Sequence, residues 1–398
     1  MADGAMISDP PNESYPRLFL RFLRFGLLAW GGPVAQIDMI RHELVERERW
    51  VTQERFLRTL AVYQVLPGPE AHELCVYFGM LSRGRLGGLL AGLGFMLPGF
   101  LLMFLLSWLY AGHGLDHGRM AAAFAGVQPA VVALIVRAIG RIGRRALTTL
   151  WLGIVAILAL LASLLQVHFL LTLGGAGVLY ALLHRGRRAA ALVLLVALAA
   201  GLFWLPMPAQ DSPFPERNGA AAGAPALPAL FLSGLRTGLL TFGGAYTAIP
   251  FLQYDAVVRG GFMTNREFLD GIALGGVLPA PLIIFGTFVG YIGGGAAGAL
   301  ALTAGIFLPA FSFTLVGHSY LERAVHNPAL HDLLDGITAG VVGLIAATTL
   351  DLARSALTGP AALVIFAAAL VTLILWRAGY AIALVMIAAA LAGWLWLA

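Results

Sequence analysis

The chain carries one long sequence pattern twice, and this repeat is the strongest constraint on how it can fold. Residues 26–69 match residues 238–281 at a constant shift of 212 positions, without a gap. The identical pairs include Gly26 and Gly238, Gly31 and Gly243, Gly32 and Gly244, Thr52 and Thr264, Pro67 and Pro279, and Pro69 and Pro281. The match continues at a shift of 211 positions through Leu97-Pro98 and Leu308-Pro309. Self-similarity at a fixed period predicts a repeated structural unit, so we expect two related halves.

The amino-acid composition indicates that both halves lie in a lipid bilayer. Hydrophobic residues make up 60% of the 398 residues and charged residues only 11%, whereas soluble domains carry about 25% charged residues. A soluble core cannot bury so much apolar surface, so we predict an all-α polytopic membrane protein. The net charge of +5 comes from arginines in short loops. That distribution indicates orientation in a bilayer and not a nucleic-acid surface.

Apolar stretches of about 20 residues, long enough to cross a bilayer, predict about thirteen transmembrane helices. They are residues 18–36, 59–81, 86–110, 120–140, 147–166, 168–183, 189–206, 228–252, 271–292, 297–317, 333–352, 360–376 and 379–397. The resulting organisation is a disordered tail at 1–16, a first repeat with an extra inverting span at 17–206, a linker at 207–227 and a second repeat at 228–398.

Seven spans precede the second copy, so it should enter the membrane from the opposite side. Inverted repeats of this kind are typical of secondary transporters, whose substrate site lies near the membrane midplane. The positive-inside rule places the N-terminus in the cytoplasm and the C-terminus outside. In that interpretation the inner loops hold Arg83, Arg137, Arg141, Arg144, Arg145, Arg185, Arg259, Arg266, Arg323 and Arg377. The mixed-charge loop at residues 38–58 falls on the outer side.

Each half contains two irregular places, a Gly-Gly pair and a Leu-Pro-x-Pro run. Glycine weakens a helix and proline removes a backbone donor, so both places predict broken or re-entrant helices. New half-helices would begin near Pro33 and Pro69, and their free N–H groups would form an anion site. The candidate ligands at the breaks are Gly31, Gly32, Gln36, Gln64, Gly68, Gly243 and Gly244. The alternatives are ordinary kinks, and helix–helix hydrogen bonds for the two glutamines.

Charged residues near these breaks are candidates for chemistry. Arg236 lies about ten residues into an apolar span, where a charge costs about 2.5–3.5 kcal/mol and normally faces a cavity or a partner. Arg24 is its repeat mate. For both arginines the alternative is a side chain that extends to the membrane surface.

Glu70, His72 and Glu73 follow the first Leu-Pro-x-Pro run, and their counterparts in the second half are uncharged. Titratable groups at membrane depth suggest a proton relay. The alternative for Glu70 is a helix-capping carboxylate. His113, Asp116 and His117 are more typical of a solvated loop than of a metal site. We expect no metal, no cofactor and no enzymatic activity, since no nucleophile–base arrangement is present.

The sequence motifs at the helix breaks resemble those of the chromate ion transporter family. The resemblance rests on Trp30 to Gln36, Gln64 to Ala71 and Gly94 to Pro98, and on their second-half counterparts Thr241 to Gly244, Leu278-Pro279 and Phe307 to Pro309. Departures from the family pattern are Ala245, Gly276 and Ala280. The resemblance implies a two-repeat carrier of the bacterial inner membrane that exports chromate, with sulfate as a structural analogue.

We therefore expect a secondary transporter that holds a tetrahedral dianion such as chromate between half-helix N-termini, Arg236 and Arg24. Glu70, His72 and Glu73 provide a hypothesis for proton coupling. The alternatives are an anion channel of the same fold, and a non-transporting membrane assembly or lipid-handling protein. The expected partners are chromate or sulfate and the lipid bilayer, without nucleic acid. The oligomeric state stays open, with a homodimer as one alternative.

Overall fold

The computed structural model describes residues 12–30, 32–112, 118–204, 225–242, 244–317, 328–376 and 380–396. Within these ranges the chain forms helices and no strand, so the expected all-α polytopic architecture is confirmed. Four helical segments are long and apolar enough to cross a membrane, namely Glu70–Gly112, Arg119–Ala146, Leu282–Leu315 and His331–Ala356. Six shorter apolar helices accompany them.

The first half contains helices α1 (Tyr15–Leu27), α2 (Pro33–Ile40), α3 (Gln53–Val65), α4 (Glu70–Gly112), α5 (Gly118–Ala146), α6 (Leu150–Leu164), α7 (Phe169–His184) and α8 (Arg188–Trp204). The second half contains α9 (Leu227–Leu240), α10 (Ile249–Gln253), α11 (Asn265–Val277), α12 (Phe285–Leu315), α13 (Pro328–Ala356), α14 (Pro360–Leu375) and α15 (Ala381–Trp396). Short 3₁₀ or π segments adjoin α2, α10 and α12, at Arg41–Arg47, Ala245–Ala248, Tyr254–Arg259 and Leu282–Ile284.

The two longest helices, α4 and α12, are each folded back on themselves. Arg83 and Gly84 leave helical geometry in α4, and Gly84 has a φ of +63°. The chain reverses there, because Gly79 packs against Gly87 and Ala91 on the returning arm. Each helix therefore consists of a short arm and a long arm, residues 70–82 and 85–112 in α4.

Helix α1 reaches only the middle of the molecule. Its 13 residues give about 20 Å of helix, less than the roughly 30 Å of a hydrocarbon core. It lies along the long arm of α4, and Gly26 near its end packs on Phe95 and Pro98. Glycine is required at this position because a side chain would overlap the backbone of Phe95.

After α1 the chain returns to the side from which it came. Arg21 forms an ion pair with Glu48 and lies 5.5 Å from the Trp50 ring centroid. Arg83, at the reversal in α4, lies 4.5 Å from the Tyr15 ring. We call this end of the molecule, marked by Tyr15, Glu48 and Arg83, the proximal face.

A second re-entrant hairpin follows, formed by α3 and the short arm of α4. Arg55 at the start of α3 donates a hydrogen bond to the Tyr77 hydroxyl (3.0 Å), and Phe56 stacks on Phe78. Both ends of this hairpin therefore lie near the proximal face, and its break at residues 66–69 lies in the interior. The segments at 18–36 and 59–81 are helical as expected, but they turn back at their breaks.

The second half repeats this arrangement from the opposite end. Gly238 packs on Ile306 and Pro309. The equivalent contact in the first half is that of Gly26 with Phe95 and Pro98. The first turns of α11 lie near the far end of the long arm of α4, where Tyr110 donates a hydrogen bond to Asp270 (3.0 Å). We call the end marked by Tyr110, Asp270 and Asp351 the distal face.

The inversion follows from the helices that cross between the two faces. The long arm of α4 and helices α5 to α8 connect the halves, and this number of crossings is odd. The second half therefore starts at the distal face. Asn265 near that face donates to Asp351 (3.3 Å), while His184 at the end of α7 contacts Asp332 at the proximal face.

These contacts correct three details of the sequence-based topology. The loop at 38–58 lies at the proximal face with Tyr15, so its expected position on the opposite side was wrong. Arg259 and Arg266 belong to the distal face, not to the side of Arg83. Arg137, Arg141, Arg144 and Arg145 are part of α5 instead of a loop. Arg323, Arg377, residues 1–11 of the tail and most of the linker lie outside the described residues.

Candidate functional site

The helix breaks of both halves meet in the interior of the molecule. The backbone N–H of Gly68, in the break at 66–69, donates a hydrogen bond to the carbonyl oxygen of Thr241 (2.9 Å). Thr241 opens the break at 241–244, which precedes the short helices of the second half. We call the region formed by the breaks at 28–32, 66–69, 241–244 and 278–281 the central junction.

Packing at the central junction follows a pseudo-twofold axis. Gly68 faces the Cβ of Ala310, and Ala280 packs on Gly99. Gly68 and Ala280 are repeat mates, and so are Gly99 and Ala310. The two contacts are therefore equivalent by symmetry. The pseudo-twofold axis lies where the second hairpin of each half packs against the long arm of the other half.

Two half-helices of the first repeat begin at this junction. Helix α2 starts at Pro33 with Gly32 as its N-cap residue, and no side chain caps it. Gly32 has a φ of +81°, and a Cβ at this position would meet no atom within 4 Å. Helix α4 starts at Glu70, directly after the break. The first N–H groups of such helices lack internal partners and carry the positive end of the helix dipole.

The second repeat contributes a similar surface. Gly244 has a φ of +114°, with open space where a Cβ would lie, and it precedes the uncapped segment Ala245–Ala248. Gly32 of the first repeat and Tyr246 of the second both line one cavity of ≈ 20 Å³, which accommodates about one water molecule. Its other lining residues include Trp30, Leu134, Ala280 and Leu282.

Glu70, His72 and Glu73 all lie beside the central junction, as their spacing suggested. Glu73 is fully buried, and neither carboxyl oxygen has a hydrogen-bond partner among the described residues. Its Oε1 would lie 3.0 Å from a Cβ on Gly68, so the carboxyl group borders the break. Glu70 is only partly buried at the start of α4, within reach of the positive charge of Arg145.

His72 is enclosed by aromatic rings of the second repeat. Its ring lies 5.0 Å from the Phe307 centroid and 4.6 Å from the Phe311 centroid, both edge-to-face. The His72 side chain is fully buried. These contacts make His72 a packing link between the halves as well as a titratable group.

The other predicted ligands are spread over several environments. Gln36 is buried and donates to the carbonyl oxygen of Ala29 (3.0 Å), so it stabilises the first break. The side chains of Arg24 and Gln64 are exposed. Gly31 and Gly243 lie outside the described residues, as do His113, Asp116 and His117. The described residues contain no cluster of potential metal ligands.

Arg236 lies on the distal side of the central junction and is already paired. It forms an ion pair with Asp255, which also accepts a hydrogen bond from the Ser233 hydroxyl (2.6 Å). The guanidinium carbon lies 4.9 Å from the ring centroid of Phe169. The sequence reasoning missed Asp255, although its position 19 residues after Arg236 in a re-entrant hairpin brings the two together.

A second polar cluster lies at the distal face. Asp270 accepts hydrogen bonds from the Tyr110 hydroxyl and the Gln128 side chain, each 3.0 Å long. The three residues border a cavity of ≈ 630 Å³. Sequence reasoning did not single out this cluster, because Asp270 is 142 residues from Gln128 and 160 residues from Tyr110 along the chain.

Known proteins share this chain's pattern over nearly its whole length. The family model described as "Chromate transporter" matches twice, at residues 16–182 and 228–394. A chromate transport protein of Pseudomonas aeruginosa is 56% identical over 99% of this chain and 95% of its own length. A chromate transport protein of Cupriavidus metallidurans is 29% identical over 86% of this chain and 84% of its own.

A probable chromate transport protein of Synechococcus elongatus is 29% identical over 87% of this chain and 86% of its own length. No solved structure shows significant similarity to this chain. The comparisons thus agree on one family and on a repeated unit that begins near α1 and again near α9.

Proposed function

Because the chain belongs to the chromate transporter family, we propose that it exports chromate across the bacterial inner membrane by alternating access around the central junction. The observation that carries this proposal is the hydrogen bond from Gly68 to Thr241, where half-helices of both repeats converge. Free N–H groups and dipole ends at such a place suit a tetrahedral dianion. Sulfate has the same shape and charge and is expected to compete.

The orientation in the membrane is part of this proposal. Arginines of the described residues concentrate at the proximal face, including Arg83, Arg85, Arg185, Arg187 and Arg188. The positive-inside rule then places the proximal face and the N-terminus in the cytoplasm and the C-terminus outside. The ≈ 20 Å³ cavity would have to widen to admit the anion, as alternating access requires.

Proton coupling is the finer part of the proposal. Export of a dianion from a cell with a negative interior is electrically downhill by about 2.3 kcal/mol per charge per 100 mV, so export alone needs no proton. Glu73 borders the break without a hydrogen-bond partner among the described residues. Protonation would remove both the cost of burying its charge and its repulsion of the anion. Glu70 faces Arg145 and could release the proton toward the proximal face.

The proposal is tested with inside-out membrane vesicles whose membrane contains the protein. We expect labelled chromate to accumulate inside them, unlabelled sulfate to compete, and a proton gradient to change the rate. Vesicles without the protein give the background. With the membrane potential clamped to zero, an anion channel of the same fold would equilibrate chromate whatever the proton gradient, and a non-transporting assembly would show no protein-dependent uptake. The first result would refute the proton-coupled carrier, and the second would refute transport itself.

A further inference from the structure

Helix α5 presents a row of arginines on one face. Arg137, Arg141 and Arg145 follow one another at intervals of four residues. Together with Leu134 they fall within about 80° of one another around an α-helix of 3.6 residues per turn. The four residues therefore form a single stripe along α5.

The inner end of this stripe is at the central junction. Leu134 lines the small cavity together with Gly32 and Tyr246. With a rise of 1.5 Å per residue, Arg137, Arg141 and Arg145 lie about 4, 10 and 16 Å from Leu134 along the helix, toward its proximal end. Arg145 is exposed, whereas Arg141 and Arg137 are partly buried. The row thus runs from the proximal surface to the breaks.

The row faces the junction and not only the outside of the molecule. The positive charges of Arg137 and Arg141 act on the buried Tyr246 hydroxyl, which follows the break at 241–244. The charge of Arg145 acts on Glu70, which follows the break at 66–69. The inner part of the row, Arg137 and Arg141, therefore lies near the break at 241–244, and its outer member Arg145 lies near the break at 66–69.

Within the described residues Arg141 and Arg145 form no ion pair with a carboxylate, whereas arginines such as Arg21, Arg58 and Arg236 do. Glu70 acts on Arg145 from beyond ion-pair distance. Arginine is well suited to bind an oxyanion, since its planar fork donates two parallel hydrogen bonds.

We propose that Arg137, Arg141 and Arg145 form a relay site for tetrahedral oxyanions, which conducts them between the proximal face and the central junction. The inference rests on the proposed transport function and extends it, because it assigns the substrate path on one side of the membrane. Successive guanidinium groups offer several weak sites in place of one deep site, so the anion can move from one to the next.

The test compares Arg141→Gln with Arg187→Gln in chromate transport. Arg187 is exposed at the proximal face and lies outside α5, so both variants lose one positive charge on the proximal side but only Arg141→Gln interrupts the row. Arg141→Gln should raise the KM for chromate about tenfold, the effect expected when one charge-assisted hydrogen bond is lost. Arg187→Gln should leave KM near the wild-type value, and Arg141→Lys should restore part of the loss.

The measurements use vesicles of both orientations, with folding checked by size-exclusion chromatography. If Arg141→Gln does not fold, Arg145→Gln replaces it, because Arg145 is exposed at the mouth of the row. Equal KM values for wild type, the row variant and Arg187→Gln would overturn the relay while leaving the transport function intact. Absence of protein-dependent uptake by the wild type would instead refute the transport function itself.

Discussion

The backbone N–H of Gly68 donates a hydrogen bond to the carbonyl oxygen of Thr241, which joins a helix break of one repeat to a break of the other. The repeat mate of Gly68 behaves differently, since the N–H of Ala280 bonds to Leu278 within its own turn. Gly68 has a φ of +148°, a conformation that alanine rarely adopts. The replacement of glycine by alanine in the second repeat thus accompanies a break in symmetry at the central junction.

The pseudo-twofold contact predicts a specific rescue. In Gly99→Ala the new methyl group would overlap the Cβ of Ala280, so we expect a loss of about 1–3 kcal/mol in the free energy of unfolding. Adding Ala280→Gly moves the methyl group from one side of the contact to the other and should restore most of that loss. Thermal unfolding in detergent measures both variants. A double variant no more stable than Gly99→Ala would show that these residues do not touch.

Gly32 and Gly84 form a matched pair for testing the anion site. Both have positive φ with an extended ψ, +81° and −176° at Gly32 and +63° and −159° at Gly84, and both face open space where a Cβ would lie. Alanine at either position should cost a similar strain energy, of the order of 1–3 kcal/mol. Only Gly32→Ala places a methyl group beside the N-terminus of α2, so it should reduce chromate transport while Gly84→Ala does not. Equal transport by the two folded variants would argue against the α2 N-terminus as a ligand.

The pair formed by Arg236 and Asp255 can be either structural or substrate-binding. Removing one partner of a buried pair leaves an uncompensated charge, so Arg236→Ala should cost about 3 kcal/mol in stability. The pair of Arg185 and Asp332 provides the control. Its arginine is exposed and Asp332 keeps its contact with His184, so Arg185→Ala should cost far less. If Arg236 also binds the anion, chromate KM rises in Arg236→Ala but not in Asp255→Asn. Identical KM values in all folded variants would exclude Arg236 as a ligand.

The re-entrant topology makes a labelling prediction. In a Cys75→Ala protein, cysteines introduced one at a time by Arg49→Cys and Arg187→Cys should react with a membrane-impermeant thiol reagent from the same side of the membrane. A cysteine at Arg266 should react from the opposite side, because Arg266 belongs to the distal face. Intact cells and inverted vesicles measure this accessibility. Opposite labelling of Arg49 and Arg187 would refute the first re-entrant hairpin.

The titratable cluster predicts a loss of pH dependence. If Glu73 carries the coupled proton, proton and anion binding favour each other, and wild-type KM for chromate should fall as the pH is lowered. Glu73→Gln mimics the protonated carboxyl and should give a low KM that no longer depends on pH. Glu70→Gln separates the capping role from the coupling role, because glutamine keeps much of the capping geometry. A wild-type pH profile in both variants would exclude this cluster as the coupling site.

The amino-acid sequence by itself determined the repeat, the helical class and the places where helices break. Each of these depends on local properties: apolar length, the missing donor of proline and the conformational freedom of glycine. The odd number of spans predicted before the second copy sufficed to predict the inversion, although four of the predicted spans turn back.

The tertiary structure alone decided which groups meet. Apolar length cannot distinguish a helix that crosses the membrane from a broken helix that returns, because both bury a similar stretch of hydrophobic residues. The contacts of Arg21 with Glu48 and Trp50 place the charged loop at the proximal face. The pairing of Arg236 with Asp255, and the orientation of the α5 arginines toward Tyr246 and Glu70, likewise depend on how separate segments pack. Side chains far apart in the chain are brought together by that packing, and local sequence carries no record of the distance between them.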